Sequence, residues 1–328
     1  MKLTVDRDDL VSAVSAAVRG TAKQGAAMHV LSDVVLRAEG GQLHAMGTDL
    51  DIEISASVPA EVEAEGAIAL PGRVFLELTR RLSGGSVRLE AIDGPGVCIE
   101  QGRSSFKLQG LDPERHPGGL AKAPEDSAVS IDGGLLAEVA AKTWPYVATD
   151  ITRPVLTGVC IEADGENLQA VATDGFRMGI VARGGLKGVR IRRCVVPARA
   201  LAEAARIVQP GEDVRVCVGE SVISFETPAG RVAGRLIQGQ YPDVLASIPA
   251  NYPMRAVASR AELTEAVRRA ALVAAMSPAS WGSSRHTVTL DIRRGGIVVG
   301  AEARDAAEAR EEMGAETPLG LHTGTVAF

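Results

Sequence analysis

The sequence repeats itself, and that repeat limits the architecture of the chain more than any single motif does. VLSDVVLRAEGGQLHAMGTDL from Val30 and VLTGVCIEADGENLQAVATDG from Val155 align without a gap at a shift of 125, with nine of 21 positions identical. Val34, Ala38, Gly40, Leu43, Ala45, Thr48 and Asp49 are among the residues that recur 125 positions later. An alternating apolar run, a turn at acidic residues and glycine, and a second alternating run ending in Thr-Asp describe a β-hairpin used twice. A weaker copy, VTLDIRRGGIVVGAE from Val288, aligns at a shift of 254 through Val288, Leu290, Gly295 and Ile297. Three related modules therefore account for the 328 residues.

The remainder of each module recurs as well. DDLVSAVSAAVRG, GGLLAEVAAKTW and AELTEAVRRAALVAA precede the three hairpins, and Leu10, Leu135 and Leu263 are each followed four residues later by valine, the spacing of an amphipathic helix. PGRVFLELTRRL and PARALAEAARIV follow the first two hairpins, with Pro71 and Pro197 where a helix would begin. The expected fold is α+β, built from tandem modules of mostly antiparallel sheet backed by two helices. The modules are placed at 1–122, 123–249 and 250–328. The third is expected to be incomplete, ending where the first enters its second helix after Pro71.

Charge and composition narrow the function. Thirty-five Lys and Arg against 41 Asp and Glu leave a net charge of -6, which excludes a polycationic coat for indiscriminate nucleic-acid binding. A local basic surface survives that exclusion. Arg73, Glu77 and Arg80 recur as Arg199, Glu203 and Arg206, at spacings that put them on one helix face. Arg19, Lys23, Lys142, Arg268 and Arg269 add cations to the other helix of each module. Few aromatics interleave with them, so contact with a duplex backbone fits better than a base-stacking groove for single strands. No nucleophile elbow, phosphate loop, dinucleotide fingerprint or metal-spaced histidines occur, and the recurring Asp49 and Asp174 read as turn caps rather than a catalytic pair. No enzyme, metal or cofactor is expected. Cys98, Cys160, Cys194 and Cys217 are widely spaced and read as buried thiols. There is no run of about 20 apolar residues and no secretory leader, so a cytoplasmic protein without a membrane span is expected.

MKLTVDRDDL at the N-terminus, GTDL at Gly47 to Leu50, VATDGFRM at Val171 to Met178 and QYPD at Gln240 to Asp243 give the chain a resemblance to the bacterial DNA polymerase III beta subunit, the replicative sliding-clamp family. The resemblance runs in order from Met1 to about Glu312. It implies a head-to-tail homodimer closed into a ring, sheets outward and helices lining a channel around duplex DNA, with Arg19, Lys23, Arg73, Arg80, Lys142, Arg199 and Arg206 facing the DNA. It also implies an apolar cleft between the second and third domains that takes short peptides from the replicative polymerase and the clamp loader. The matching positions are Leu156, Thr173, Gly175, Phe176, Arg177, Met178 and Pro242. A dimer seam would set Arg103, Phe106 and Lys107 of module one against Leu272, Val273, Glu302, Asp305 and Glu308 of module three. Ala246, Ser247 and the closing TPLGLHTGTVAF depart from the family pattern. A truncated clamp-like adaptor or decoy that binds partner peptides without closing a ring is the alternative.

Overall fold

The computed structural model describes residues 1–23, 28–92, 94–209, 211–251, 255–276, 287–303, 307–316 and, by backbone alone, 324–327. The chain divides into two compact units, Met1–Pro242 and Asp243–Phe328.

The first unit opens with β1 (Lys2–Asp6), α1 (Arg7–Gly20), the hairpin β2 (Asp33–Glu39) and β3 (Gln42–Thr48), β4 (Ile52–Pro59), β5 (Glu61–Ala64) and β6 (Gly66–Pro71). It continues through α2 (Gly72–Arg80), β7 (Ser86–Ile92), β8 (Gly96–Gln101) and β9 (Ser104–Gln109). The same order, without a counterpart of β5, then recurs as β10 (Val129–Asp132), α3 (Gly133–Thr143), β11 (Gly158–Asp164), β12 (Asn167–Thr173), β13 (Met178–Gly184), β14 (Arg190–Pro197), α4 (Ala198–Ile207), β15 (Asp213–Val218), β16 (Val222–Thr227) and β17 (Gly230–Arg235). The repeated hairpin is thus real at the level of backbone, with β2–β3 and β11–β12 both paired antiparallel. Asp6 and Asp132 cap α1 and α3 through side-chain oxygens, and Pro71 and Pro197 occupy the N-caps of α2 and α4.

Each module splits its strands between two sheets, and one of those sheets does not stop at the module boundary. Strands β10, β15, β16 and β17 continue through β4, β3, β2 and β6 as one eight-stranded antiparallel sheet. The join is a regular ladder between β17 and β4, from Gly230 opposite Ala56 to Gly234 opposite Ile52. Side chains on this sheet reinforce it: Glu53 on β4 pairs with Arg231 on β17 at 2.7 Å, Arg231 reaches Glu226 on β16 at 3.5 Å, and Glu226 pairs with Arg215 on β15 at 3.0 Å. Charges alternating in sign across four adjacent strands favour this strand order. Glu53 also accepts the Leu120 N–H at 2.5 Å, so the connection between the modules is tied to the same carboxylate.

One aliphatic core runs through the unit, from Leu3, Leu10 and Leu36 in the first module to Leu136, Leu201 and Phe225 in the second. Helix α1 lies almost on the backbone of the sheet beneath it. A methyl group on Gly47 would come within 2.2 Å of the Ala17 carbonyl oxygen, and one on Gly20 within 2.3 Å of the Gly47 oxygen. Burial raises the thiols of Cys160 and Cys217 above their ordinary range and takes Cys194 up to about 11. Cys98 departs from the expectation of four buried thiols: it is only half-buried on β8, with Sγ 3.4 Å from Ser105 Oγ.

The second unit contains β18 (Val257–Ala258), α5 (Arg260–Ala274), β19 (Thr289–Arg293), β20 (Gly296–Ala303), β21 (Ala307–Glu316) and β22 (Gly324–Ala327). Its sheet has the order β18, β21, β20, β19, β22. The weak third copy of the hairpin is β19–β20, turning at Gly295 with φ +81° where module one turns at Gly40 and Gly41. Ala266, Ala270 and Ala274 of α5 pack on Ile297, Val299 and Ala301 in a separate small core. Among the described residues this unit holds one α-helix, where each earlier module holds two.

Two variants test the packing of the first unit. Arg231→Ala is expected to cost about 3–5 kcal/mol in denaturant unfolding, because Glu53 stays buried without its cation. Gly47→Ala should lose about 1–3 kcal/mol as α1 is lifted off the sheet; an unchanged midpoint in either case would contradict the geometry described.

Candidate functional site

The Thr-Asp at the end of each repeated hairpin builds a turn. In module one, Asp49 Oδ1 accepts the N–H groups of Asp51 and Ile52 at 3.1 and 2.9 Å, and the Thr48 hydroxyl donates to the Ile52 carbonyl at 2.7 Å. In module two, Asp174 Oδ1 accepts from Phe176 and Arg177 at 2.9 and 3.1 Å, and the Thr173 hydroxyl donates to the Arg177 carbonyl at 2.8 Å. Leu50 and Gly175 hold equivalent left-handed positions, φ +75° and +95°. The two aspartates are therefore caps, with one oxygen of each, Oδ1, occupied by main-chain donors. Burial pushes the Asp174 carboxyl up, and the bonds from Phe176 and Arg177 outweigh it and leave the group below its ordinary value.

What differs is the second carboxylate oxygen. Asp174 Oδ2 accepts from Arg177 Nε at 2.9 Å within the turn, whereas Asp49 Oδ2 pairs with Arg199 of α4 in the other module. Arg177 in turn lies over the Tyr146 ring, 5.7 Å from its centroid. Arg153 reaches the Asp174 carbonyl at 3.4 Å. The turn thus presents Phe176, 89% exposed, beside two guanidiniums and a tyrosine ring.

The seven peptide-pocket candidates all belong to the first unit. Leu156 and Thr173 are buried, Met178 is half-buried, and Gly175, Phe176, Arg177 and Pro242 are exposed. Tyr241 organises them. Its phenol oxygen, in a buried side chain, accepts the Thr173 N–H at 3.0 Å, tying the chain just before Pro242 to the end of β12. Burial raises the Tyr241 hydroxyl to about 12 against the opposing Thr173 bond. Sequence reasoning singled out the Tyr-Pro-Asp motif but not this tyrosine as a site residue, and it missed Tyr146 and Arg153, whose partners are distant in sequence.

Six of the DNA-facing candidates sit on the helices, and Lys23 lies three residues past the end of α1. Arg73 and Lys23 are exposed. Arg80 bonds Glu77 at 3.4 Å and the Ser15 hydroxyl of α1 at 3.3 Å; Lys142 pairs with Glu138 at 2.6 Å, a carboxylate that Arg183 of β13 also contacts. Arg199 pairs with Asp49 and donates to the Arg19 carbonyl at 2.5 Å. Arg19 and Arg206 share one carboxylate, Glu203, at 2.7 and 2.6 Å. Helices α2, α1, α4 and α3 are consequently linked side by side, α1 to α2 and α3 to α4 by packing and α1 to α4 by these ion pairs. The stripe that looked equivalent in the two modules is not: Glu77 is exposed, while Glu203 is 7% exposed and serves both modules.

The dimer-seam candidates on module one, Arg103, Phe106 and Lys107, are exposed around the turn into and along β9, a strand at the edge of its sheet. In the second unit Leu272 is 71% exposed on α5 and Val273 is half-buried. Glu302 and Glu308 face each other across β20 and β21. Asp305 lies outside the described residues.

The model of the DNA polymerase III beta subunit N-terminal domain matches residues 1–120, and that of the central domain matches 130–243. The beta sliding clamp of Streptomyces coelicolor is 31% identical over 96% of this chain and 83% of its own length. This chain belongs to the beta sliding-clamp family. The clamp of Staphylococcus aureus is 29% identical over 84% of the chain and 74% of its own length. Among solved structures, the DNA polymerase sliding clamp of Bacillus subtilis superposes with a TM-score of 0.90 at 25% identity, over 100% of this chain and 87% of that one. The Pseudomonas aeruginosa beta subunit gives 0.88 at 25% identity over the same shares. The family's members are processivity factors of DNA replication with no catalytic site of their own. Among the described residues no helix is long and apolar enough to cross a membrane.

Replacing Tyr241 tests the anchor at the end of β12, ahead of the Asp174 turn. Tyr241→Phe leaves the buried Thr173 N–H without its acceptor and is expected to cost about 1–3 kcal/mol. The raised hydroxyl also predicts a pH signature: the unfolded chain releases this proton near pH 10 and the folded chain near 12, so stability conferred by the protonated form falls as pH rises through that window. That fall should be absent in Tyr241→Phe, measured by unfolding between pH 9 and 12.

Proposed function

We propose that this chain is a DNA-tethering clamp. Two copies join head to tail, close around duplex DNA, and hold the replicative polymerase and the clamp loader through short peptide segments. The modules 1–122, 123–249 and 250–328 are successive arcs of that ring, acting in the cytoplasm where the bacterial chromosome lies. The observation that carries the reading is the segregation of charge: a chain with net charge -6 collects Arg19, Arg73, Arg80, Lys142, Arg199 and Arg206 on its helices, with Lys23 just past the end of α1. Such a surface contacts phosphates without reading bases, and a closed ring needs little affinity to stay in place.

The peptide pocket is the part of the first unit around Leu156, Thr173, Gly175, Phe176, Arg177, Met178 and Pro242. An exposed aromatic, a half-buried methionine and a nearby guanidinium suit an adaptable groove for apolar peptides with an acidic neighbour. The seam sets Arg103, Phe106 and Lys107 of one copy against Leu272, Val273, Glu302, Asp305 and Glu308 of the other. Opposed glutamates on a hairpin are unfavourable alone, and cations from a second copy would relieve them.

Two measurements test this. In solution the chain should have the mass of a dimer, and once loaded it should stay on circular plasmid and be lost when the plasmid is linearised. A strict monomer that binds polymerase-derived peptides yet never stays on circular DNA would instead establish the non-encircling adaptor. Arg73→Ala should reduce the log–log salt slope of duplex binding by about 0.9, the release expected for one lost phosphate contact; an unchanged slope removes Arg73 from the DNA-facing set.

A further inference from the structure

Among the described residues, Glu203 is the one carboxylate whose ion pairs include cations of both modules. Its Oε2 accepts Arg19 Nε of α1 at 2.7 Å, and its Oε1 accepts Arg206 Nη1 of α4 at 2.6 Å. The carboxylate is nearly buried, while the two guanidiniums keep 34% and 61% of their side-chain surface in solvent. A second tie holds the same place, because Arg199 donates to the Arg19 carbonyl and pairs with Asp49. The result is a fixed cluster of one buried negative and two part-exposed positive groups at the line where α1 meets α4. Its module-one counterpart is built differently: Glu77 is exposed, 3.4 Å from Arg80 and 3.7 Å from Arg81, all within one helix and its cap.

We propose that Glu203 is a positioning residue that sets the strength of DNA contact at the module seam. It holds Arg19 and Arg206 at the helix surface and competes with backbone phosphate for them. This rests on the reading that duplex DNA meets the helix layer, and deepens it by assigning one residue the role of weakening the contact. With Glu203 ionised the cluster carries one net positive charge and neutralises about one phosphate. A shallow, partly neutralised lining lets a ring move along DNA, since each step exchanges one weak phosphate contact for another. Arg19 Nη1 also donates to the Ser15 carbonyl at 3.2 Å, and both guanidiniums keep part of their surface in solvent while held in place, so little side-chain entropy is lost when a phosphate arrives. Glu203 makes no contact with DNA in this account; it acts only through the two arginines.

The test is the salt dependence of binding to a short linear duplex, which needs no ring. Glu203→Gln keeps the size and one acceptor oxygen but removes the competing charge, and its log–log slope should steepen by about 0.9, one further phosphate contact. Arg206→Gln should make the slope shallower by the same amount, and the double variant Glu203→Gln with Arg206→Gln should return it to the wild-type value. A purely structural Glu203 would leave the single variant's slope unchanged and the double variant as shallow as Arg206→Gln alone; either result overturns the proposal. Should Glu203→Gln melt too early to measure, the double variant, with one guanidinium fewer to hold, still decides between the two values. Retention of the wild type on circular plasmid is measured in parallel. Its loss with normal linear-duplex slopes would overturn the ring and leave Glu203's role standing, whereas a wild type that binds no duplex at all overturns both.

Discussion

The main-chain ladder between β4 and β17 is the constraint on which the rest of the first unit depends. A strand at the edge of a sheet exposes a row of unpaired donors and acceptors, and each module alone would carry such an edge. Pairing β4 of one with β17 of the next satisfies both edges at once and joins one sheet of each module into a single eight-stranded sheet. Gly230 makes the approach possible, since a methyl there would sit 2.3 Å from the Ser55 carbonyl oxygen. The Glu53–Arg231–Glu226–Arg215 ladder then fixes which strands are neighbours, and the helices that cover the other face are brought into one row.

That row explains how repeated residues come to do different work. Asp49 and Asp174 cap the same turn, yet one spends its spare oxygen on Arg199 across the seam and the other on Arg177 beside it. Glu77 and Glu203 occupy the same helical position, yet only Glu203 is enclosed by the neighbouring module. A repeat duplicates local structure, and the seam occurs on only one side of each copy. The residues next to it are therefore asymmetric in burial and partners even where the sequence is symmetric. The same asymmetry leaves the Asp174 turn exposed, with Phe176 and the Arg177–Tyr146 pair open to a ligand.

The clamp family explains why a net acidic chain carries so many arginines on its helices, and the ion pairs qualify the picture. Five of the seven proposed DNA-facing cations already have a carboxylate or a main-chain carbonyl within bonding distance. Under the proposed function, such cations would offer phosphate a set of shared, partly neutralised charges.

The sequence by itself determined the modules, the hairpins, the helices and their starts, because each is set by local periodicity and by caps within a few residues: Thr48 and Asp49, Asp132 before α3, Pro197 before α4. It also determined the family, through motifs that are contiguous in the chain. Only the tertiary structure decided that two modules share one sheet, that Tyr241 accepts the Thr173 N–H ahead of the Asp174 turn, and that Glu203 stands between Arg19 and Arg206. The Tyr241–Thr173 and Glu203–Arg19 contacts join residues 68 and 184 positions apart, and nothing in the periodicity around Glu203 distinguishes a solvated carboxylate like Glu77 from one buried against another module. Burial is a property of what arrives from elsewhere in the chain, so it is settled when the edges of β4 and β17 meet.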